Sequence, residues 1–473
     1  MEFGGFPKNL SYNIKTLSGF SKTSVKLTPD KGSGVVNMGD TIKVKLPSNT
    51  IVDLRTFSMF AKGSCSSDTG KSNVRFPRLT SSLIKTLAVY VNGTLIERID
   101  NYNVLYNKLY DLDGGGVDQT AKRFLENADP SCDYTMTQSH TGGTLVNLVT
   151  ATGPAIVDKK LMVNNWLGFI STCSCPCPDT NDLNEVIVEI TFADEKVLWG
   201  AGSAATTSIA VDAAGAKWSL QDVHFTISKI VFNDPLYYNM KASKLLSSGL
   251  TLGYQTYISS KGASQAKGSS VNVLTTVNST SLDQLICCLQ NANVDINKLQ
   301  LYGTNDKEVG LPFAEVAAKP LAGQTNANHF DASAGGLYNQ SIYFKSDASG
   351  LHSSSIEINN TPLMPQPLDD AEVYNETLIA LGNLNQDMSS GVHPGCKSLA
   401  DFLKFYFTHI VSLENIQQGD FYKSGLDGKA SALNIAWKMV FNGASASQYT
   451  PYIFAKTTRM CQINEGHSVV IIV

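Results

Sequence analysis

The stretch LNIAWKMVF near the C-terminus puts Leu433, Ile435, Trp437, Met439 and Phe441 on one side of an extended chain. Asn434, Ala436, Lys438 and Val440 fall on the other. Successive side chains of a strand point to opposite faces, so this alternation describes a strand with one face in a core. The pattern recurs along the chain. Ile42, Val44 and Leu46 alternate with lysines, and Val186, Val188, Ile190 and Phe192 alternate with Ile187, Glu189 and Thr191. Val223, Phe225 and Ile227, and then Leu250, Leu252 and Tyr254, repeat it. Such runs, separated by turns rich in Gly, Ser and Asn, predict antiparallel sandwiches or barrels. The expected class is all-β.

Length decides how many. A chain of 473 residues exceeds the roughly 200–250 residues that one β domain commonly takes, and two large β domains fit. The segment AGSAATTSIAVDAAGAK, residues 201–217, is small and weakly patterned, a linker or an excursion loop, and the main boundary is expected there. The two halves share no residue-level repeat, so any duplication is architectural.

Helices are expected in three places. Val89 to Ile99 reads as a hairpin around Asn92-Gly93, the dipeptide suited to a tight type I′ turn. Asp100 is placed to cap a helix in which Tyr102, Leu105, Tyr106 and Leu109 share one stripe. A second helix spans residues 370–381, with Tyr374, Leu378 and Leu381 on one face. A third covers residues 398–403 and runs into the aromatic strand Phe405, Tyr406, Phe407. A short helix in a β chain needs a surface to pack against.

Charged residues make up 16% of the chain, against about 25% in an average domain. Part of the surface is therefore expected to be covered by neighbours. A net charge of −4 and a pI near 6.0 argue against a general nucleic-acid binder. Lys8, Lys15, Lys22 and Lys26 near the N-terminus make no polybasic arm against Glu2 and Asp30. No apolar run approaches the ~20 residues of a membrane span. The opening residues lack the basic start and apolar core of a signal peptide, so the chain is expected to stay in the compartment where it is made. The nine cysteines are then expected as thiols, and the N-x-[ST] sequons, such as those at Asn92 and Asn278, carry no weight.

Motifs that suggest chemistry fail on inspection. Cys173, Cys175 and Cys177 lie close enough in sequence to suggest zinc or copper. Their C-x-C-x-C spacing is not a zinc knuckle, however, and no His is near, so a surface turn is expected. Cys287-Cys288 sits in a strand-like segment as a pair of small hydrophobes. Thr69–Ser72 (TGKS) imitates the end of a phosphate-binding loop. Cys65 stands where a glycine belongs, and Pro77 breaks the helix that should follow. Histidines 140, 224, 329, 352, 393, 409 and 467 form no cluster, and no G-x-S-x-G elbow exists. Asp369-Asp370 and Asp111/Asp113 fall at predicted helix ends, where acids serve caps and turns. Trp437 with Phe405–Phe407 suggests a sugar platform, but alternation favours core. No catalytic, cofactor or metal site is expected, and no enzyme.

NGTLIERIDNYNVLYNKLYDL, beginning at Asn92, resembles the hairpin-then-helix in the first barrel of double jelly-roll major capsid proteins of virophages, polinton-like viruses and larger double-stranded DNA viruses. Similar stretches follow in the family's order. Trp166 to Leu198 resembles the closing segment of a first barrel, and Ser219 to Tyr257 the entry into a second. Val277 to Gln290, the helix at AEVYNETLIALG, Tyr422 to Val440 and the terminal PYIFAKTTRMCQINEGHSVVII come next. Gly114-Gly115-Gly116 and the Cys-rich turn are not family hallmarks. The resemblance implies two consecutive antiparallel jelly-roll barrels with short inserted helices. It implies an arm at 1–22, a first jelly roll at 23–217 and a second at 218–473. It also implies a structural protein of the virion: a homotrimer forming pseudo-hexagonal capsomers of an icosahedral capsid, touching neighbouring capsomers, penton and minor capsid proteins. No specific nucleic acid and no membrane insertion are implied. The alternative is a cell-surface or secreted β-sandwich adhesin or lectin, which requires a signal peptide.

Overall fold

The computed structural model describes residues 20–31, 34–66, 74–77, 79–112, 126, 156–200, 203–205, 208–210, 217–232, 239, 242–243, 249–266, 270–292, 301–302, 337–338, 342–344, 346–381, 398–414, 425–428, 432–442, 448–464 and 467–472. Expectations for TGKS, the glycine run at 114–116, Asp113, His140, His329, His393 and the arm up to residue 19 fall outside these residues.

The first half contains β1 (Phe20–Leu27), β2 (Thr41–Lys45), β3 (Ile51–Ser66), β4 (Ile84–Val91), β5 (Thr94–Asp100), β6 (Ile156–Val163), β7 (Val186–Phe192) and β8 (Lys217–Phe232). They form two antiparallel sheets, ordered β1-β8-β3-β6 and β2-β7-β4-β5. In β7, burial follows the alternation read from the sequence: Val186, Val188, Ile190 and Phe192 are buried, and the residues between them are half-exposed. Ile42 and Leu87 flank Ile190 from either side, and Val44 and Val89 flank Val188. Between the sheets Phe57 stacks on Phe225 at 5.3 Å and meets Trp166 at 5.4 Å. The Trp166 indole donates to the Phe57 carbonyl, so this large ring is buried without stranding its N–H.

The second half repeats the plan. Its strands are β9 (Leu250–Lys261), β10 (Val271–Val277), β11 (Leu282–Asn291), β12 (Leu351–Ile358), β13 (Thr361–Pro362), β14 (Thr408–Ser412), β15 (Leu433–Phe441) and β16 (Gln448–Ile463). The sheets run β9-β16-β11-β14 and β10-β15-β12-β13, antiparallel throughout. Strand for strand, this is the order of the first half. It is the jelly-roll winding, in which the first strand lies beside the last and the second beside the seventh. The correspondence extends to details. Residues 36–37 prolong the pairing of β1 along β8, and residues 265–266 prolong that of β9 along β16. A final strand, β17 (Val469–Ile472), pairs with the end of β16.

Sheet pairing moves the expected boundary. Strand β8 pairs with β1 from Phe20↔Phe232 to Leu27↔Phe225, and with β3 on its other side. A division at 217/218 would separate the first sandwich from its own closing strand. By pairing, the first sandwich runs to Phe232, the second starts at Leu250, and residues 20–22 are strand rather than arm. Residues 203–205 and 208–210 pair with each other, so the weakly patterned segment is an excursion ahead of β8. Of the stretch Ser219 to Tyr257, the part up to Phe232 thus closes the first barrel, and the part from Leu250 is the entry into the second.

Five helical segments complete the inventory used below: α1 (Tyr102–Leu112), α2 (Phe169–Thr172), α3 (Thr180–Leu183), α4 (Asp370–Ala380) and α5 (Leu399–Phe405). The hairpin before α1 turns through Asn92 and Gly93, both with positive φ, as a type I′ turn requires. Asp100 does not cap α1. Its carboxylate accepts from Thr86 and Arg98, and the chain enters the helix through Asn101, whose φ is 53°. Helix α4 carries the full capping box, Asp369 to the Glu372 N–H and Glu372 back to the Asp369 N–H. No helix among the described residues is long and apolar enough to cross a membrane.

Candidate functional site: the joint between the barrels

The residues singled out in the sequence are dispersed. Trp437 is fully buried, its indole N–H donating to Ser354 Oγ at 3.0 Å, so it is sandwich core and not a platform. Cys287 and Cys288 are buried in β11. Among the described residues no group of three or more His, Cys, Asp or Glu side chains is arranged to hold a metal ion. Asp369 serves its capping box, while Asp111 is buried 3.8 Å from Lys108 of the same helix. His224 stacks on Phe60 at 5.5 Å. His409 is buried between the sheets of the second barrel beside Ser354 Oγ, at 2.8 Å, and burial pushes its pKa down to about 4.

The Cys-rich segment does more than turn. Its first part lies along β9, the open edge of the second barrel. The Ser174 N–H donates to Gly253 O at 2.7 Å, and the Gly253 N–H to Ser174 Oγ at 2.9 Å. The Thr172 hydroxyl accepts from the Gln255 N–H and donates to Gln255 O. Its second part lies along β3 of the first barrel, where the N–H groups of Val52 and Leu54 donate to the carbonyls of Pro178 and Pro176. Prolines fit here because this strand-like edge uses their carbonyls and needs no N–H from them. One segment therefore satisfies backbone of both barrels. The surface turn expected at CSCPC is corrected accordingly: Cys173 is buried, which drives its thiol pKa up to about 12. Cys175 and Cys177 are half-buried.

Around this clip the barrels meet over a continuous joint. Tyr254 of β9 donates to Ile96 O at 2.7 Å and packs edge-on against Phe169. Asn101 reaches Ser259 at 2.9 Å, and Asn92, in the hairpin turn, donates to His467 O at 2.8 Å. His467 Nδ1 donates to Asp182 O. At the centre Glu97 is buried, accepting from the Phe169 N–H at 2.8 Å, with the Thr256 hydroxyl and Arg459 guanidinium alongside. Loss of water raises its pKa to about 7, against the lowering effect of those partners. Gly168 has φ +77°, and a Cβ there would stand 2.0 Å from the Glu97 carboxylate, so only glycine fits. Sequence reasoning missed Glu97. The signal was an acid on β5 at a position where its neighbours predict an inward side chain.

Helix α1 answers where the tyrosine stripe packs. Tyr102, Val104, Leu105, Tyr106, Lys108 and Leu112 are all buried, on more than one face. The Tyr102 hydroxyl accepts from the Leu167 N–H, and its ring stacks on Tyr106. On the far side the helix meets residues 342–344, and burial pushes the Cys288 thiol of β11 up to about 12 against the smaller lowering effect of the Lys108 ammonium. The helix is wedged between the barrels.

Two jelly rolls in one chain, joined side by side through such a wedge, define the double jelly-roll fold. Solved structures that share it include three viral ones. They are PBCV-1 VP54, fitted into a reconstruction of the virophage Sputnik (TM-score 0.58, 12% identity, 96% of this chain and 97% of that one); a Sputnik virophage chain (0.56, 10%, 100% and 91%); and the Faustovirus major capsid protein (0.55, 10%, 94% and 91%). No known family profile and no curated protein matches the sequence. The kinship is thus one of fold.

Proposed function

We propose that the chain is the major capsid protein of a double-stranded DNA virus. The observation that carries this is the repeated strand order: two jelly rolls, each with the same sheet pairing, in one chain. Folds of this kind cover the chain nearly end to end in proteins of virus shells. Two lobes per chain make three chains into a six-lobed, pseudo-hexagonal block, a shape that tiles an icosahedral shell. The work is contact area, so the chain acts as a structural protein and not an enzyme. Its partners are two further copies, neighbouring capsomers, and penton and minor capsid proteins, and its place is the virion. Low overall charge supports this, because surfaces destined for burial between subunits are poor in charge. The residues before Phe20 then serve as an arm that contacts protein in the shell.

Light scattering on the purified chain tests the reading. A trimer at micromolar concentration is the expected result, and a stable monomer overturns it.

A further inference from the structure

The barrel joint has a direction. A helix that follows the fifth strand of the first barrel, α1, packs against the second barrel. The second barrel carries its own helix at the same place in strand order, α4, after β13. The two are treated differently. Helix α1 is covered on several faces, whereas in α4 only Val373 and Thr377 are buried. Thr377 fixes α4 to its own barrel through Thr408 O and the Ile410 N–H. The opposite side, with Ala371, Glu372, Asn375 and Ile379, is exposed. Helix α4 carries Asp370, Glu372 and Glu376 and no basic residue.

The receiving surfaces differ in the same sense. In the second barrel β11 is buried on both faces from Leu285 to Gln290. In the first barrel its counterpart β3 is buried on one face, and the other is open at Phe60 and Lys62. Here lies a cavity of about 600 Å³, with a floor that includes Phe60, Leu161 and Met162 and a rim of Lys26, Lys62 and Lys160. Lys62 pairs with Asp222 at 2.5 Å. Lys26 acts electrostatically on the same Asp222, which also lines the cavity, and Lys160 forms no ion pair among the described residues. Strand β1, which carries Lys26, ends its sheet, and no described strand pairs with its outer edge. The equivalent edge in the second barrel, β9, is the one the Cys-rich segment covers.

We propose that this lysine-rimmed groove on the first barrel is the docking site for α4 of a second copy. The contact repeats between chains what α1 does within one chain. Ile379 would supply the apolar contact to the Phe60 floor, and the acidic face of the helix would meet Lys26 and Lys160. Such a contact is heterologous, each chain using its groove and its helix against different neighbours, and it closes into a ring. The proposal rests on the trimeric reading above and names its interface.

Two variants at exposed positions test it, Lys26→Glu/Lys160→Glu in the groove and Ile379→Lys on the helix. Light scattering should find wild type trimeric and each variant monomeric, with melting temperatures within a few degrees of wild type. Mixed in equal amounts, the variants should form one-to-one dimers and nothing larger, because each retains the half that the other lost. A trimeric wild type with variants that remain trimeric overturns the groove while leaving the capsid reading intact. Monomeric variants that do not pair on mixing also overturn it, and a monomeric wild type removes both. A second measurement avoids charge altogether: Met162→Cys/Ile379→Cys should give covalent multimers on mild oxidation beyond any seen with wild type. A result no different from wild type counts against the contact.

Discussion

Two neighbours on β15 separate core from surface. Trp437 is sealed between the sheets, and its truncation to Ala should cost about 3–5 kcal/mol, as for other large buried side chains. Lys438 points outward to Glu357 at 2.6 Å, and an ion pair of this exposure contributes at most ~1 kcal/mol. Denaturant melts of the two Ala variants check this, and equal effects would mean the register is wrong. His409 gives a pH dependence whose sign is fixed. Its folded pKa of about 4 lies below the ordinary histidine value of 6.5, so the unfolded chain takes the proton first. The contribution is complete above about pH 6.5 and is lost as pH falls toward 4, a change of about 3 kcal/mol. Urea melts across that range should show His409→Gln less acid-sensitive than wild type. Glu97 runs the other way. With its folded pKa raised to about 7 from 4.5, its contribution is complete below about pH 4.5 and falls as pH rises through 7.

At the scale of elements, the clip from Thr172 to Pro178 is the exposed test. Thr172→Val removes the hydroxyl shared with both backbone groups of Gln255. Leaving those groups unpaired at the joint should cost about 1–3 kcal/mol. Hydrogen exchange at Gln255 should speed up, while amides in the β15 core stay protected. The strands were legible because alternation is a local consequence of pleating: β7 follows it residue by residue, and β15 does so except at Ala436, which is also buried. The hairpin at Asn92-Gly93 and the helix at Asp370 were legible for the same reason, since turn and cap chemistry lie within a few residues. What was not legible is long-range. Nothing in residues 217–232 says that they pair with β1, far earlier in the chain. The Cys-rich clip looked like a loose turn because its partners, Gly253 and Val52, lie in different barrels. The burial of Glu97 depends on Thr256 and Arg459, which β9 and β16 bring to it from far along the chain.

At the scale of the whole molecule, the proposed capsomer makes each chain two lobes of a six-lobed block, with burial between chains replacing charge on the surface. An N-terminal truncation of residues 1–19 should leave soluble trimers with nearly unchanged melting temperature while impairing particle assembly, read by electron microscopy of assembly reactions. Failure of the truncated chain to trimerise would place the arm within the capsomer instead. The most direct measurement is cryo-electron microscopy of the purified oligomer. The account predicts a ring with three-fold symmetry and six lobes of similar size, alternating first and second barrels, with α4 of each chain seated against the first barrel of the next. A two-lobed particle, or a symmetric dimer joined through like faces, would contradict it.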